Sequence, residues 1–416
     1  MSSEHHGETT QQKPAILEGM RVVELSAFVA APLGGMTLAQ MGADVIRIDR
    51  PQGGLDYRRW PVTENNDSLF WAGLNKHKRS VAIDIAKPEG RELAQQLICA
   101  PGQDAGMLLT NFPARGWLDY HALAEQRNDL IQLTIQGDRH GGSALDYTLN
   151  PRLGLPYLTG PAREGKELVV NHVLPAWDLV TGQMAAVGLL AAERHRLRSG
   201  QGQHVQLPLE DVALSVMAHL GFIAEAELGV ERKGCGNDLF GAFGRDFATA
   251  DGVRVMVVGL SLKQWQSLVK ATDSAAAVAA LAERLQVDLN LEGERFKARE
   301  ELAEIIGPWI ATHSFAEVQA RFDDCGVCWG KYQTVAELVR EDPSCSIDNP
   351  MFSRVQQAGI GELLSPSVPL NFATGRVDAK PAPSLGADTE EVLLDVLGMS
   401  SGQLGSLLAK GIVSKK

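Results

Sequence analysis

Apolar runs and helical periodicity alternate along the chain from residue 17 onward. Residues 20–25 are typical of a buried strand, residues 32–41 of a helix that ends at Gly42, and residues 44–48 of a second strand. A strand, a helix and another strand in this order favour a parallel sheet, so an α/β domain is predicted here. The same patterns predict an amphipathic helix and two further strands, at residues 87–99, 105–110 and 130–136.

The longest helical pattern lies in NHVLPAWDLVTGQMAAVGLLAAERHRLRSGQGQHVQL, residues 171–207. Pro175 suits the first turn of a helix, where its missing N–H costs nothing. No proline interrupts residues 177–195, and Gly200 is placed to end the helix before a strand. Because apolar residues occupy almost every side of this helix, we expect it to be buried.

The second half of the chain predicts a smaller α/β domain. A helix over residues 210–228 is expected to lead out of the first domain, and a glycine-rich segment follows at residues 233–244. Residues 247–332 then alternate between strand and helix patterns. Prolines and glycines dominate the return from residue 348 to a last helix, which is predicted at residues 388–397.

Length and composition fit an ordinary two-domain protein. The 416 residues exceed what one hydrophobic core usually holds, and 44% of them are hydrophobic and 22% charged. The predicted parts are a disordered tail (1–14), a large domain (15–225), a small domain (226–335) and a return segment whose last helix packs on the large domain (336–416). A net charge of −12 argues against a nucleic-acid partner.

No apolar run is as long as a membrane span, and the start of the chain lacks the pattern of a secretory signal. We therefore expect a cytoplasmic protein without a membrane partner. The five cysteines are scattered, and only Cys325 and Cys328 form a C-x-x-C pair. Without a second ligand pair or a thioredoxin-like context, this pair predicts ordinary thiols and no metal site.

The first strand–helix–strand unit has the order of a dinucleotide-binding fold but lacks its glycines. The turn at residues 26–32 has no G-x-G-x-x-G pattern, in which glycines let the backbone approach a pyrophosphate. Asp49, after the second strand, could otherwise imitate the acid that binds a ribose. The sequence therefore argues against a nicotinamide or flavin cofactor.

Asp178 is the strongest candidate for a reactive group. It lies in the first turn of the predicted long helix, with Thr181 and Gly182 along the same face. A carboxylate in this position can simply stabilise the positive end of the helix. It can also be a nucleophile that the helix end keeps ionised and that forms an acyl intermediate. The spacing of the residues leaves both interpretations open.

The segments around Asp178, which are PAWDLVTGQ, the apolar helix and GQGQHVQL, resemble the nucleophile region of the family III CoA-transferases. Residues 17–51, LEGMRVVELSAFVAAPLGGMTLAQMGADVIRIDRP, are also similar to the opening of that family, which includes formyl-CoA transferase and the methylacyl-CoA racemases. The resemblance covers residues 17–397. It implies that Asp178 is the catalytic nucleophile and that a CoA thioester is the substrate, with no further cofactor and no metal.

The resemblance also implies a fold and an assembly. The fold is α/β, with a Rossmann-like large domain that holds a parallel sheet and with a smaller α/β domain. The assembly is an interlocked homodimer, in which the active site lies between the large domain of one chain and the small domain of its partner. The glycine-rich segment at residues 233–244 is then expected to close over the nucleophile.

Several segments match the parts of the family that bind CoA. These are the loop after the first strand, the end of the second strand, an N-x-x-K-R-S segment, the turn NFPARG and the loop after the strand at residues 130–136. A basic run such as residues 75–79 is often only a solvated loop, but several cations near one strand end suit a polyphosphate ligand. The residues that the resemblance marks as CoA-binding are Phe28, Val29, Ala30, Arg50, Asn75, Lys76, Lys78, Arg79, Asn111, Phe112, Arg115, Gln136, Gly137 and Arg139.

Three positions depart from the pattern of the family. Val29 stands where many of the transferases carry a glutamine, Thr110 replaces a glutamate, and Leu145 stands where the racemases have a histidine before an aspartate. Racemisation needs acid–base groups on opposite faces of the substrate, so Leu145 disfavours that activity. His140 and His172 lie nearby in the sequence, so the exclusion is not absolute.

Longer segments, among them GLDYRRWPVT, SLFWAGLNK and LFGAFGRDF, resemble one member that moves CoA between the two carboxyl groups of a single dicarboxylic acid. The expected reaction is an intramolecular CoA transfer through an aspartyl anhydride and an aspartyl-CoA thioester. The alternatives are transfer to a separate free acid, a racemase and a non-catalytic CoA-binding protein. Arg58, Arg59 and Arg245 are candidates for pairing with the free carboxylate of the substrate, although a lone arginine is more often a surface residue.

Overall fold

The structure, a computed structural model, describes residues 15–163 and 166–415. The predicted disordered tail at residues 1–14 lies outside the described residues. Internal contacts divide the chain into two units. The second unit contains residues 150–173 and 223–342, and the first unit contains the rest. Residues 150–173 were predicted to belong to the large domain, whereas the contacts group them with the second unit.

The helices and strands of the described residues are numbered in chain order. The strands are β1 (Arg21–Leu25), β2 (Asp44–Asp49), β3 (Arg79–Ile83), β4 (Met107–Thr110), β5 (Ile131–Gln136), β6 (Ala162–Arg163), β7 (Lys166–Glu167), β8 (Gln203–Pro208), β9 (Phe243–Ala248), β10 (Arg254–Gly259), β11 (Cys328–Lys331), β12 (Phe352–Gln357), β13 (Gly361–Pro366) and β14 (Val413–Ser414). The helices are α1 (Ala30–Gln40), α2 (Leu69–Leu74), α3 (Pro88–Ile98), α4 (Tyr120–Gln126), α5 (Asp146–Arg152), α6 (Leu155–Thr159), α7 (Ala176–Ser199), α8 (Leu209–His219), α9 (Phe222–Glu227), α10 (Leu262–Ala271), α11 (Ala275–Leu285), α12 (Glu292–Lys297), α13 (Arg299–Thr312), α14 (Phe315–Cys325), α15 (Val335–Glu341), α16 (Thr389–Asp395) and α17 (Ser401–Ala409).

Seven of the described strands form the sheet of the first unit, in the order β14-β3-β2-β1-β4-β5-β8. Neighbouring strands run parallel, except that β14 is antiparallel to β3. Helices cover both faces of a parallel sheet, so its strands are buried and appear in the sequence as apolar runs. The strands could be predicted for this reason. The order β3-β2-β1-β4-β5-β8 is that of a dinucleotide-binding fold. The prediction of an α/β fold with a mainly parallel sheet is therefore confirmed.

Separate hydrophobic cores cover the two faces of this sheet. On one face α1 and α7 pack against β1, β4 and β5, and on the other face α3, α16 and α17 pack against β1, β2 and β3. Glycines bring α1 and α7 close together. A Cβ atom on Gly182 would lie 2.7 Å from the carbonyl oxygen of Ala30, and one on Gly34 would lie 3.0 Å from the carbonyl oxygen of Gly182. This contact fixes the start of α7 relative to the loop after β1.

The topology brings Asp178 to the edge of the sheet where ligands bind. Strands β1, β2, β4 and β5 all end at this carboxyl edge, and α1 begins there because it follows β1. Helix α7 also begins there, because its last residue leads into the parallel strand β8 at the opposite edge. Open α/β sheets bind ligands at the carboxyl edge, where the strand order reverses, and this point lies between β1 and β4.

The second unit has its own sheet and core. Strands β9, β10 and β11 form an antiparallel sheet in the order β11-β10-β9. Side chains of α10, α11, α13 and α14 cover it, with Phe243, Trp265 and Phe322 among the buried residues. The glycine-rich segment leads into β9, and Cys235 within it forms a β-bridge with Pro161.

Three expectations about the helices are wrong. The helix predicted at residues 210–228 is two helices, α8 and α9, because Gly221 between them has a φ of 80°. The helix predicted at residues 388–397 is not the last element, since α17 and β14 follow it. Helix α7 is not buried all round, and the apolar residues exposed along it include Val180, Met184 and Val187.

Candidate active site

Asp178 lies in the first turn of α7, and no described residue donates a hydrogen bond to its carboxylate. The start of the helix is capped by another residue. Asp146, at the start of α5, accepts hydrogen bonds at Oδ2 from the N–H of Trp177 at 2.7 Å and of Asp178 at 3.3 Å. Because Asp146 satisfies these N–H groups, the side chain of Asp178 is not needed as a cap.

The surroundings of Asp178 raise the pKa of its carboxyl group toward neutral pH. Its pKa is raised to about 6, first by burial and then by the negative charge of Asp146, while Arg59 opposes the rise. A group with that pKa is mostly ionised at pH 7. A poorly solvated carboxylate without hydrogen-bond donors is suited to attack a carbonyl carbon.

The loop after β1 is held in place by side chains from two other segments. Phe28 has a φ of 68°, which is unusual for a bulky residue. Asn111 accepts a hydrogen bond at Oδ1 from the N–H of Ala27 at 3.0 Å and donates from Nδ2 to the carbonyl oxygen of Ala27 at 2.8 Å. The N–H of Phe28 donates to Oδ2 of Asp56 at 3.2 Å. These bonds hold the strained loop at the point where the strand order reverses.

The start of α1 offers backbone N–H groups to this edge of the sheet. Two N–H groups of the loop, those of Ala27 and Phe28, are already bound to side chains. The next residues, Val29 and Ala30, are buried, and no described group accepts from their N–H. N–H groups at the first turn of a helix favour negative charge, so they suit an oxyanion.

A buried network of charges lies beneath the loop. The side chain of Arg47, in β2, lies within hydrogen-bond distance of Glu24, Ser26, Asp49, Asp56 and Asn75. Lys78 Nζ binds Oε1 of Glu24 at 2.9 Å. Burial by itself lowers the pKa of Arg47, but the three carboxylates hold it above its usual value. Networks of this kind are rigid, because each buried partner is costly to leave unpaired.

A cavity of about 620 Å³ opens at the same edge, beside the ends of β1, β2, β3 and β4. Its walls are mainly apolar, and three arginines surround it. Arg50, Phe112 and Arg115, which were predicted to bind CoA, line the cavity. Arg91 and Trp117 line it as well, although neither was predicted from the sequence. The signal for Arg91 was its place in the first turn of the helix that follows β3. Apolar walls with arginines suit a ligand that has both rings and phosphates.

Two of the residues that were predicted to bind CoA, Asn75 and Lys78, belong to the buried network. Oδ1 of Asn75 accepts hydrogen bonds from Arg47 and from Lys78, each at 2.9 Å. Burial lowers the pKa of Lys78 to about 8, although Glu24 opposes that shift. Both side chains are buried, so their position argues against direct contact with a phosphate.

The other two residues of the basic segment also have partners within the chain. Arg79 pairs with Asp44 at 2.5 Å, at the amino end of β3 and therefore at the edge opposite the cavity. This placement argues against a CoA contact. Lys76 Nζ donates to the carbonyl oxygen of Gly73 at 2.7 Å, and burial lowers the pKa of Lys76 to about 8. Lys76 is half-buried, so part of its side chain remains accessible to a ligand.

The loop after β5 lies at the carboxyl edge, outside the walls of the 620 Å³ cavity. Asp138 shapes it by accepting a hydrogen bond from the N–H of His140 at 2.8 Å. Gln136 and Gly137 are half-buried, and the exposed Arg139 donates to Nε2 of His140 at 3.2 Å. The fold brings Gln136, Gly137 and Arg139 to the carboxyl edge of the sheet, and their contact with a ligand stays a prediction.

Residues of the second unit that were singled out in the sequence have structural contacts of their own. A Cβ atom on Gly234 would lie 2.1 Å from the carbonyl oxygen of Gly160, so the close packing of the glycine-rich segment requires glycine. Arg245 forms ion pairs with Asp238 at 2.5 Å and Glu300 at 2.6 Å. With two carboxylate partners, Arg245 is a poor candidate for binding a substrate carboxylate.

The described residues contain no group of three or more side chains that could hold a metal ion. The cysteines, including Cys325 and Cys328, are free thiols. In the part of the chain that the structure describes, every helix is too short or too polar to cross a membrane.

Comparisons with known proteins show which family the chain matches. Residues 17–389 match the model of CoA-transferase family III. The chain is similar to 2-methylfumaryl-CoA isomerase of Chloroflexus aurantiacus, with 57% identity over 96% of this chain and 98% of that protein. It is also similar to succinyl-CoA–D-citramalate CoA-transferase of the same species, with 28% identity over 97% and 100% of the two chains. A solved structure of a CAIB/BAIF family protein from Brucella suis shares the fold, with a TM-score of 0.75 and 24% identity over 92% of this chain and all of that one.

Proposed function

The chain belongs to CoA-transferase family III, and from this membership we propose that it is an isomerase that converts 2-methylfumaryl-CoA to 3-methylfumaryl-CoA. In this reaction CoA moves from the C1 carboxyl group to the C4 carboxyl group of one acid. The observation that carries the proposal is the 57% identity to a 2-methylfumaryl-CoA isomerase over nearly the full length of both chains. The substrate is a CoA thioester, and the proposed reaction needs no further cofactor.

We propose that Asp178 is the nucleophile. Its carboxylate is partly buried, mostly ionised at neutral pH and free of hydrogen-bond donors from the described residues. Leaving such a group without a structural partner is unfavourable for stability, which suggests that a ligand meets it. Covalent catalysis by a carboxylate divides one difficult exchange into easier acyl transfers.

The proposed first half of the reaction transfers CoA to the enzyme. A carboxylate oxygen of Asp178 attacks the C1 carbonyl carbon, the C–S bond breaks, and CoA leaves as a thiolate from a mixed anhydride. The thiolate then attacks the aspartyl carbonyl carbon, and the bond from that carbon to the bridging oxygen breaks. The products are an aspartyl-CoA thioester and the free dicarboxylate. No proton is gained or lost in either step.

The second half repeats these steps at the other end of the acid. The C4 carboxylate attacks the aspartyl-CoA thioester, CoA leaves as a thiolate, and a new anhydride joins Asp178 to C4. The thiolate attacks the C4 carbonyl carbon and releases the carboxylate of Asp178. The N–H groups of Val29 and Ala30 are the proposed donors to the oxyanions, each typically worth about 3–4 kcal/mol in such sites.

CoA is proposed to lie in the cavity at the carboxyl edge. Arg50, Arg91 and Arg115 line this cavity and are proposed to meet the phosphates, and Phe112 and Trp117 are proposed to contact its ring or its pantetheine arm. Asn75, Lys78 and Arg79 are left out of this proposal because of their positions in the fold.

We also propose the interlocked homodimer that the family resemblance implies, in the cytoplasm. Support comes from the exposed apolar stripe of α7, since Val180, Met184 and Val187 would be covered in an assembly. In that dimer the glycine-rich segment of the partner would close the site over Asp178. Measurement of the mass in solution by light scattering tests the dimer, and a monomer would contradict it.

The proposed reaction is tested by incubating the enzyme with 2-methylfumaryl-CoA alone and separating the isomers by chromatography. The expected result is 3-methylfumaryl-CoA, without incorporation of labelled free 2-methylfumarate added to the mixture. A reaction that starts only when a second acid is supplied would show an ordinary intermolecular CoA-transferase, which is the main alternative. The racemase alternative is disfavoured because Leu145 is exposed and has no acid–base group.

A further inference from the structure

We propose that Arg59 binds whichever carboxylate of the dicarboxylic acid is not at Asp178, and that it thereby selects substrates with a second carboxylate. The inference rests on the proposed function, because it names the group that holds the acid during the transfer. Two observations support it, which are the position of the Arg59 guanidinium beside two aromatic rings and the lack of an ion pair with any described carboxylate.

Arg59 is held at the loop after β1 by its backbone and by two aromatic rings. Its N–H donates to the carbonyl oxygen of Asp56 at 3.1 Å, and its carbonyl oxygen accepts a hydrogen bond from Oγ of Ser68 at 2.5 Å. The Cζ atom lies 5.6 Å from the ring centroid of Phe28 and 5.2 Å from that of Phe70. Aromatic faces orient a guanidinium and leave its N–H groups open to an anion.

No described carboxylate pairs with the guanidinium of Arg59. Some other arginines of the first unit do have acidic partners, as Arg47 does in the buried network and Arg196 does with Glu193. An oriented arginine without an acidic partner is the ordinary way in which a site prepares for a carboxylate ligand.

The charge of Arg59 also reaches the nucleophile. Arg59 lowers the pKa of Asp178 and so partly offsets the effects of burial and of Asp146. An acid with one end at Asp178 therefore has a cation nearby for its other end. The two carboxyl groups of 2-methylfumarate are joined by a rigid double bond, so a single cation near Asp178 is enough to fix the far end.

One arginine serves both halves of the reaction. In the first half the C4 carboxylate is at Arg59 while C1 reacts with Asp178. The freed acid then has to turn, so that the C1 carboxylate takes the place at Arg59 and C4 faces Asp178. A neutral or acidic side chain at this position would hold the acid in neither orientation. Arg59 is thus a specificity-determining residue for the dicarboxylate.

The test compares the binding of two thioesters that differ only at the far end of the acyl group. In 2-methylfumaryl-CoA that end is a carboxylate, and in (E)-2-methylbut-2-enoyl-CoA it is a methyl group. Binding is measured by calorimetry on full-length D178N, which does not turn over, with and without a second change at Arg59. We expect R59Q to weaken binding of 2-methylfumaryl-CoA by about 10- to 100-fold and to leave the methyl analogue unchanged.

Matched variants separate substrate recognition from a structural role. R58Q removes the neighbouring exposed arginine and should change neither affinity, while R59K keeps the charge and should retain part of the preference for the carboxylate. Equal weakening of both thioesters by R59Q, or no weakening of either, would overturn the proposal. Equal weakening would mean that Arg59 only holds the loop through Phe28 and Phe70.

The outcome is distinguishable from failure of the proposed function. If the unmodified enzyme does not isomerise 2-methylfumaryl-CoA, the same comparison is made with succinyl-CoA and butyryl-CoA, which again differ by a carboxylate and a methyl group. A loss of preference for succinyl-CoA in R59Q would support the role of Arg59 with another dicarboxylate. An unchanged preference would overturn it.

Discussion

Two groups of charged side chains adjoin the loop after β1, and they differ in how completely they are paired. In the buried network, Arg47 binds three carboxylates and Asn75 within the protein. In the second group, Asp178 receives no hydrogen bond from the described residues, and Arg59 has no carboxylate partner among them. The first group holds the loop in place, and we propose that the second reacts with and binds the ligand.

This difference teaches which charged residues of a motif meet the substrate. Residue type alone makes Lys78 and Arg79 good candidates for phosphates, yet both have acidic partners inside the fold. Arg59 looks like a surface arginine in the sequence, yet two aromatic rings orient it and its charge acts on Asp178. The presence or absence of an internal partner is the feature that separates the two sets.

Removal of the nucleophile is expected to have the largest effect. D178N keeps the size of the side chain but cannot form the anhydride, so the rate of isomerisation should fall by at least about 10³-fold. Affinity for free CoA, measured by calorimetry, should change little, because the proposed phosphate site is formed by other residues. Near-normal turnover in D178N would disprove the role of Asp178, whereas loss of CoA binding would show that the variant is misfolded.

Removal of the central cation of the buried network should act on stability. R47Q leaves Asp49, Asp56 and Glu24 without their cation, so the free energy of unfolding should fall by about 3–5 kcal/mol. R50Q is the matched control, because Arg50 is exposed at the end of the same strand, and its effect should lie within about 0.5 kcal/mol. Urea unfolding measures the free energy of unfolding of both variants. Equal, small effects would show that the network does not hold the loop.

Replacement of Asp178 should also stabilise the folded protein in a pH-dependent way. The pKa of Asp178 is raised to about 6 in the folded chain, so the folded state binds a proton more tightly than the unfolded state. Stability therefore falls as pH rises from about 4 to about 6 and stays lower above that range. Relative to the unmodified protein, D178N should be more stable by at most about 3 kcal/mol at pH 7 and equally stable below pH 4. A difference that does not change with pH would contradict this.

The smallest expected effect is a shift in the pH profile of kcat/KM when the charge of Asp146 is removed. D146N keeps an oxygen that can accept the hydrogen bonds of Trp177 and Asp178 but removes the negative charge. The acidic limb of the profile of kcat/KM against pH should lie near pH 6 in the unmodified enzyme. In D146N it should move down by roughly half a unit to one unit. A limb that moves up or stays in place would show that Asp146 does not act on Asp178 through its charge.

The sequence predicts the central sheet well, because buried parallel strands are apolar runs and the glycines and prolines mark their ends. It predicts the break at Gly221 poorly, since a single glycine within an apolar run does not show whether the chain turns. The short strand β14 is also missed, because it depends on pairing with β3 from a distant part of the chain.

In the candidate site, too, local features could be predicted from the sequence, whereas contacts between distant parts of the chain could not. Asp178 could be found from its segment, whereas the cap by Asp146 could not, because the two residues lie 32 positions apart and meet only in the folded chain. The burial of Asn75 and Lys78 and the pairing of Arg79 with Asp44 likewise depend on the packing of several strands. Resemblance identified the chemistry, and the fold identified which side chains are available for it.

Transfer of oxygen to Asp178 tests the central claim most directly. In the proposed second half-reaction the C4 carboxylate attacks the aspartyl thioester, so one of its oxygen atoms remains on Asp178 when C4 recaptures CoA. A single turnover with 2-methylfumaryl-CoA that carries heavy oxygen in the C4 carboxylate should therefore leave one heavy oxygen atom in the peptide that contains Asp178, as measured by mass spectrometry. Conversion to the C4-linked isomer without heavy oxygen in that peptide would contradict the account.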